Sequence, residues 1–197
     1  MEVSDLGNDP FIAFAQWMKD ARTKGQLENP NAMALSTVNA EGKPSVRMVL
    51  LKDFSAQGFV FFTNFDSRKG QELAQNANVA LCFYWDKLRR QVRIEGRAEK
   101  LPRNQSEVYF HSRPRESQCG AWASPQSEVI QSRAQLEEAA RLISEKYDEE
   151  IPMPPNWGGF CVKAEVMEFW QQNSGRLHDR IRFKRAQTAW QIDRLAP

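Results

Sequence analysis

The residues of this chain with chemical potential are mostly cationic, and they come in groups. Thr63–Gly70 reads Thr-Asn-Phe-Asp-Ser-Arg-Lys-Gly. A strand expected to end at Thr63 gives way to a helix with Ser67, Arg68 and Lys69 in its first turn. Free N–H groups at a helix start, together with two cations, make an anion site. Cations there oppose the helix dipole, so they fit either a bound phosphate or a solvated helix start. Tyr109–Ser117 reads Tyr-Phe-His-Ser-Arg-Pro-Arg-Glu-Ser. Arg113, Arg115 and two serines in so short a span are either a polar loop or a second phosphate site built from charge-assisted hydrogen bonds. Arg176-Leu-His-Asp-Arg180 follows Phe169-Trp170 and a turn at Asn173-Ser-Gly175. Read as a strand, it places Arg176, His178 and Arg180 on one face, where they repel unless they serve an anion or an electron-rich ring. Arg47 and Lys52 flank Met48-Val-Leu-Leu51. Strand parity sends them to opposite faces unless a bulge or strand end intervenes, and strand ends in water are the plain reading.

Other constellations carry less. Gln118-Cys-Gly-Ala-Trp122 is faintly similar to the surroundings of a papain-type cysteine, but the second Cys of that signature is absent. Cys119 is therefore expected to be a buried or incidental thiol. His178-Asp179 suggests a hydrolase dyad, yet no G-x-S-x-G supplies a serine. With only His111 and His178, and no H-x-E or HExxH, no metal centre is expected. Cys82, Cys119 and Cys161 form no CxxC pair and fit reduced thiols in a cytoplasmic protein.

These groups need a scaffold. Asp9-Pro10 predicts a helix start, with Phe11, Phe14, Trp17, Met18 and Ala21 at helical spacing and Gly25 at the end. Strands are predicted at 32–38, 45–52, 59–63, 79–85 and 89–101, with turns at 39–42 and 53–58. In the fifth, Val92 and Ile94 face one way and Gln91, Arg93 and Glu95 the other. Short helices are expected after Ser67 and from Pro102 to about Ser112, and a longer one over 132–147 with Leu136, Ala140 and Ile143 as its stripe. Residues 113–127 read as an ordered loop and 151–157 as a Pro-rich connector. Three closing strands are expected near 158–170, 179–185 and 190–195. Strands joined by short turns, with helices outside, argue for a mainly antiparallel β architecture, most economically a barrel without free edges.

Composition narrows the function. The 197 residues suit one domain with its own core. Mean hydropathy is −0.63, and no apolar run approaches a membrane span. The first residues, Met1-Glu-Val-Ser-Asp5, lack the basic and apolar regions of a secretory signal. A net charge of +2 is low for a nucleic-acid binder. Arg outnumbers Lys 17 to 10, which favours anionic ligands slightly.

Taken together, the residues resemble the pyridoxine/pyridoxamine 5'-phosphate oxidase family. The resemblance rests on Arg47-Met-Val-Leu-Leu-Lys52, Phe61-Phe-Thr-Asn64, Ser67-Arg-Lys-Gly70, Arg90-Gln-Val-Arg-Ile-Glu-Gly96, Phe110-His-Ser-Arg-Pro-Arg115, Trp157-Gly-Gly-Phe160, Glu168-Phe-Trp-Gln171, Arg176-Leu-His-Asp-Arg180 and Asp193-Arg-Leu-Ala-Pro197, in that order. It spans about Asp9 to Pro197. It implies one FMN-binding split-barrel domain, antiparallel with flanking helices, whose region from about 150 to 197 serves dimerisation and substrate. It implies a homodimer with FMN at the subunit interface, oxidising pyridoxamine or pyridoxine 5'-phosphate to pyridoxal 5'-phosphate while oxygen becomes hydrogen peroxide. Carried over by motif, Arg47, Met48, Val49, Leu50, Leu51, Lys52, Phe62, Thr63, Arg68, Lys69, Gln91, Gln126, Ser127, Trp170 and Arg180 would contact the flavin, some from the partner subunit. Lys52, Tyr109, Arg113 and Ser117 would hold the substrate phosphate. Arg176 and His178, the catalytic pair, would hold the pyridine ring. Phe62 stands where many members carry Tyr, which removes a hydroxyl contact but keeps the backbone ones. Nine residues precede Pro10, fewer than members usually carry, so no lid residues are assigned. Related readings are a phenazine-pathway flavin oxidase of the same superfamily and a non-catalytic carrier of FMN or pyridoxal phosphate.

Overall fold

The computed structural model describes Met1–Pro197. Its strands are β1 (Ala32–Val38), β2 (Pro44–Leu50), β3 (Asp53–Ser55), β4 (Gly58–Asn64), β5 (Asn78–Trp85), β6 (Arg90–Lys100), β7 (Trp157–Gln171), β8 (Asp179–Ala186) and β9 (Ala189–Arg194). The helices are α1 (Val3–Leu6), α2 (Pro10–Thr23), α3 (Arg68–Gln75), α4 (Arg103–His111), α5 (Arg115–Ala123) and α6 (Arg133–Lys146). All strand pairs are antiparallel, in the order β2-β1-β5-β6-β7-β4-β3, with β8 and β9 branching from β7. The expected antiparallel split barrel is therefore present.

The split originates in β7. One edge pairs with β6 along its length. The other pairs first with β4, over 157–162, and then with β8, over 166–171. Two strands share one long edge, so the sheet curls apart there. The register shifts between Glu95 and Gly96, where a Cβ on Gly96 would lie 2.0 Å from the Lys163 carbonyl oxygen. Only glycine allows that approach.

The inward positions are apolar. Met33, Leu35, Leu81, Phe83, Val92, Ile94, Met167, Phe169, Ile181 and Phe183 are buried in the main core. The face of α2 carrying Phe11, Phe14, Trp17, Met18 and Ala21 closes one side, as its spacing predicts. Asp9 caps α2 by accepting from the Phe11 N–H at 2.8 Å. A second cluster of Phe110, Cys119, Ile151, Met153 and Trp157 joins α4, α5 and the connector, with Ala140 and Ile143 of α6 against it.

Four expectations change. Residues 115–123, expected as loop, form α5. Cys119 buries into the second cluster, and Trp122 donates its indole N–H to the Pro152 carbonyl at 2.7 Å, so packing decides what the polar composition hid. Residues 53–55, expected as turn, form β3 against β4. The four-residue α1 was unexpected. Arg176, His178 and Arg180 do not share a strand: Arg176 ends a 3-10 turn over Ser174–Arg176, and only Arg180 lies in β8. Gly175 and Arg176 both have positive φ, 64° and 62°, which excludes extended backbone there.

Candidate functional site

β2, β4, α3 and the corner between α4 and α5 enclose a cavity of about 500 Å³. It is lined by Arg47, Met48, Val49, Leu50, Lys52, Phe62, Thr63, Asn64, Lys69, Tyr109, Arg113, Pro114, Ser117, Gln126 and Trp157. Three of the expected cationic groups, far apart in sequence, contribute residues here and form two clusters.

The first group sits where β4 meets α3. Ser67 caps α3, its Oγ accepting from the Gly70 N–H at 3.3 Å. A Cβ on Gly70 would lie 2.2 Å from the Phe65 carbonyl oxygen, so the tight entry to the helix needs glycine. The Lys69 ammonium donates to Gln126 Oε1 at 2.7 Å and to Thr63 Oγ1 and Ser67 Oγ at 3.2 Å. Burial, then the nearby charge of Arg47, lowers its pKa to about 8, against the weaker pull of Glu72. Arg47 is not a strand end in water. Its guanidinium donates to Thr37, Ser45, the Leu35 carbonyl and Glu72. β2 ends at Leu50, before Lys52, so the parity that would have separated Arg47 from Lys52 is broken and both line the cavity.

The second group stands on an aromatic wall. Phe62, Tyr109 and Trp157 stack nearly parallel, with centroids 4.0 Å apart for Phe62–Tyr109 and 5.4 Å for Phe62–Trp157. The Lys52 ammonium lies 5.7 Å from the Tyr109 ring centre, and the Arg113 guanidinium 4.7 Å from that of Trp157. Ser117 lies in the first turn of α5. Arg113 Nη1 is buried and has no hydrogen-bond partner. Burial pushes this guanidinium below its ordinary pKa, with Tyr109 opposing. A buried, unpaired cationic donor in a polar cavity is a group prepared for an anion. Arg115, grouped with Arg113 on the sequence, points elsewhere: it donates to the carbonyls of Ser144, Tyr147 and Glu149 and closes the end of α6.

Other expected site residues lie outside the cavity. Leu51 is buried in the main core, Arg68 is exposed and pairs with Glu72, and Ser127 is exposed next to Gln126 with φ 78°. Gln91, Trp170 and Arg180 form one row across β6, β7 and β8. They alternate with the core residues Val92, Phe169 and Ile181, so the row faces away from the core. Arg180 is held by Glu168 at 2.9 and 3.1 Å. His178 packs 4.8 Å from the Trp170 ring, and its Nδ1 accepts from the Asn173 N–H at 3.1 Å. Arg176 is exposed. This second set shares no cavity with the first within one chain. Asp179 bonds the Met1 amino group, Asn173 and Arg194 rather than His178, so the pair forms no hydrolase dyad. Cys119 is buried in the second cluster.

Asn64, Pro114 and Trp157 line the cavity without having been singled out for it, and Thr37, Ser45 and Glu72 brace it from behind. Thr37 was detectable: it is polar at the inward parity of Met33 and Leu35.

The chain matches the profile of the family described as "Pyridoxamine 5'-phosphate oxidase" over residues 20–170. The chain belongs to that family. Residues 157–197 match the "Pyridoxine 5'-phosphate oxidase C-terminal dimerisation region", which supports a homodimer of this oxidase family member. Relatives named pyridoxine/pyridoxamine 5'-phosphate oxidase include one from Microcystis aeruginosa, 53% identical over 196 residues, covering 98% of this chain and 91% of the relative. Another, from Burkholderia thailandensis, is 50% identical over 200 residues, covering 100% and 93%. Among solved structures, PhzG from Burkholderia lata, in complex with tetrahydrophenazine-1-carboxylic acid, superposes with a TM-score of 0.93 at 28% identity, covering 98% of this chain and 95% of that one. A pyridoxamine 5'-phosphate oxidase-related, FMN binding protein from Nostoc punctiforme shares the fold, with a TM-score of 0.76 at 17% identity, covering 94% and 96%. These relationships support an oxidoreductase that uses a flavin. No helix is long and apolar enough to cross a membrane.

Proposed function

We propose that this protein is a homodimeric, FMN-dependent oxidase that converts pyridoxamine 5'-phosphate and pyridoxine 5'-phosphate to pyridoxal 5'-phosphate. With the amine, oxygen and water are consumed, and ammonia and hydrogen peroxide are released. With the alcohol, oxygen is consumed and peroxide released. The observation that carries the reading is the pair of cationic groups in one cavity, one of them with a buried unpaired guanidinium N–H. Two phosphorylated ligands call for two anion sites.

The donor set fits the cofactor. Arg47 and Lys69, with Thr63 and Gln126, would hold the FMN phosphate at the start of α3, and the backbone from Met48 to Leu51 would run along the flavin. Bound flavin would supply the two-electron acceptor for the substrate's C4' carbon. Lys52, Tyr109, Arg113 and Ser117 would grip the substrate phosphate. The stacked rings of Phe62, Tyr109 and Trp157 give that region an apolar backing, which strengthens the ionic contacts made against it. The row of Gln91, Trp170 and Arg180, with Arg176 and His178 beside it, would reach the cavity from the partner subunit across a two-fold interface. That arrangement explains why one chain keeps the two sets apart. Arg176 would orient the pyridine ring. In the neutral ring of His178, the bond accepted at Nδ1 leaves the proton on Nε2, free to donate to the substrate. No side chain needs to act as a covalent nucleophile; positioning and electrostatics carry the rate.

The likeness to PhzG motivates a second substrate class, a reduced tricyclic carboxylate, whose anion Arg113 could also pair. The deciding test supplies purified protein with FMN and, in air, either pyridoxamine 5'-phosphate or the tricycle, following product and peroxide together. Equimolar pyridoxal phosphate and peroxide is the expected result. Turnover of the tricycle alone would move the protein to the second class, and bound FMN with no turnover of either would make it a carrier.

A further inference from the structure

We infer that Glu72 is a positioning residue for the cofactor phosphate and acts through Arg47. The inference rests on the FMN reading above. Glu72 lies on α3, is 5% exposed and does not line the cavity. It stands behind the cavity wall, and four side chains converge on it. Thr37 Oγ1 donates to Oε2, as does Ser45 Oγ at 2.7 Å. Arg47 Nη2 reaches Oε2 at 3.2 Å, and Arg68 Nε reaches Oε1 at 2.9 Å.

The hydroxyls work as couplers. Thr37 and Ser45 each accept from Arg47 and donate to Glu72. Both protons of this relay are thereby directed at the carboxylate, and both oxygens present lone pairs to the guanidinium. Arg47 also donates to the Leu35 carbonyl at 3.2 Å. A long, flexible arginine is thus tied to β1, β2 and α3 at once. Burial pushes the Glu72 pKa up, but hydrogen bonds from Thr37, Ser45 and Arg68 and the charge of Arg47 overcome that and hold it at about 2. It stays ionised at any pH the protein would meet.

A carboxylate behind three cations has two opposite consequences. Its charge weakens the attraction of Arg47, Arg68 and Lys69 for an anion. Its hydrogen bonds, direct and through Thr37 and Ser45, hold Arg47 in one orientation at the cavity wall, with the four Nη hydrogens engaged and Nε–H left for a phosphate. The two effects predict opposite signs for removing the charge, so the sign identifies which one dominates. The network of four partners on a buried carboxylate favours orientation.

The test is a titration of full-length apoprotein with FMN and with riboflavin, which lacks the phosphate, followed by quenching of flavin fluorescence. Wild type, Glu72→Gln, Arg47→Ala and the double variant are compared. Glu72→Gln is expected to raise the Kd for FMN about tenfold, the scale of one charge-assisted bond, and to leave that for riboflavin unchanged. In the Arg47→Ala background it is expected to weaken FMN no further, because the residue through which it orients the phosphate site is gone. Ser45→Ala, which cuts one coupler and keeps the charge, is expected to weaken FMN in the same direction by less. Tighter or unchanged FMN binding in Glu72→Gln overturns the inference. So does equal weakening of FMN and riboflavin, or a full effect in the absence of Arg47. If Glu72→Gln does not fold, unchanged FMN binding by Ser45→Ala overturns it instead. Wild-type protein that binds no FMN would overturn the cofactor reading itself, and this inference with it.

Discussion

Arg113→Ala tests the second anion site most sharply, because its effects on binding and on folding are expected to differ in kind. In the free protein Arg113 Nη1 is buried without a partner, an arrangement that costs about 1–3 kcal/mol. Its guanidinium lies over Trp157, a contact worth about 0.5–2 kcal/mol. The two terms nearly cancel, so the variant should melt within a few degrees of wild type. Binding has no such cancellation. A phosphate that pairs with Arg113 gains a charge-assisted bond of about 1.5–3 kcal/mol. Its loss corresponds to roughly a 10- to 150-fold fall in kcat/KM, expressed mainly in KM. The assay compares pyridoxamine 5'-phosphate with unphosphorylated pyridoxamine, on which the variant and wild type should be equally poor. An unchanged KM for the phosphorylated substrate, or an equal penalty on both, would refute the assignment. A large fall in Tm would refute the ledger for the free protein.

Other expectations follow from the same geometry. Arg115→Ala should leave KM unchanged and lower stability by about 1 kcal/mol in a denaturant titration, since Arg115 caps the carbonyls at the end of α6; a raised KM would put Arg115 back in the phosphate site. The Lys69 pKa is lowered from its ordinary 10.5 to about 8 in the free protein, so this lysine is charged well below pH 8, half charged near it, and loses its charge as pH rises through it. FMN affinity should therefore weaken between pH 7 and 9.5, and Lys69→Arg should flatten the profile; a wild-type profile already flat would contradict it. On the folding side the sign is reversed: between 8 and 10.5 the unfolded chain binds more protons at this lysine, so its contribution to apoprotein stability rises with pH across that window. Arg176→Ala should slow reduction of bound flavin by substrate in stopped flow and leave FMN affinity intact; an unchanged reduction rate would remove Arg176 from the catalytic role.

Much of the scaffold was legible because it depends on local periodicity. The face of α2 from Phe11 to Ala21, the alternation of Val92 and Ile94 with Gln91 and Arg93, and the Ser67 cap are each decided within a few residues. α5 was not legible. Its Arg, Ser and Gln content reads as loop, and only burial of Cys119 and the tie from Trp122 to the Pro152 carbonyl make a helix of it. The Arg176–Arg180 segment failed for a different reason: two successive positive φ angles break the strand, and only one of those residues is a glycine.

The sequence by itself determined the antiparallel class, the two cationic groups and the residue types able to hold phosphate, because charge and alternation are properties of the chain. The tertiary structure decided which cations cooperate. It joined Arg47 to Lys52 by ending β2 between them, separated Arg113 from Arg115 across an α5 start, and placed Glu72 behind Arg47 through two hydroxyls from different strands. Those are relations between segments distant in sequence, and they exist only once burial of the core has brought β1, β2, β4 and α3 together.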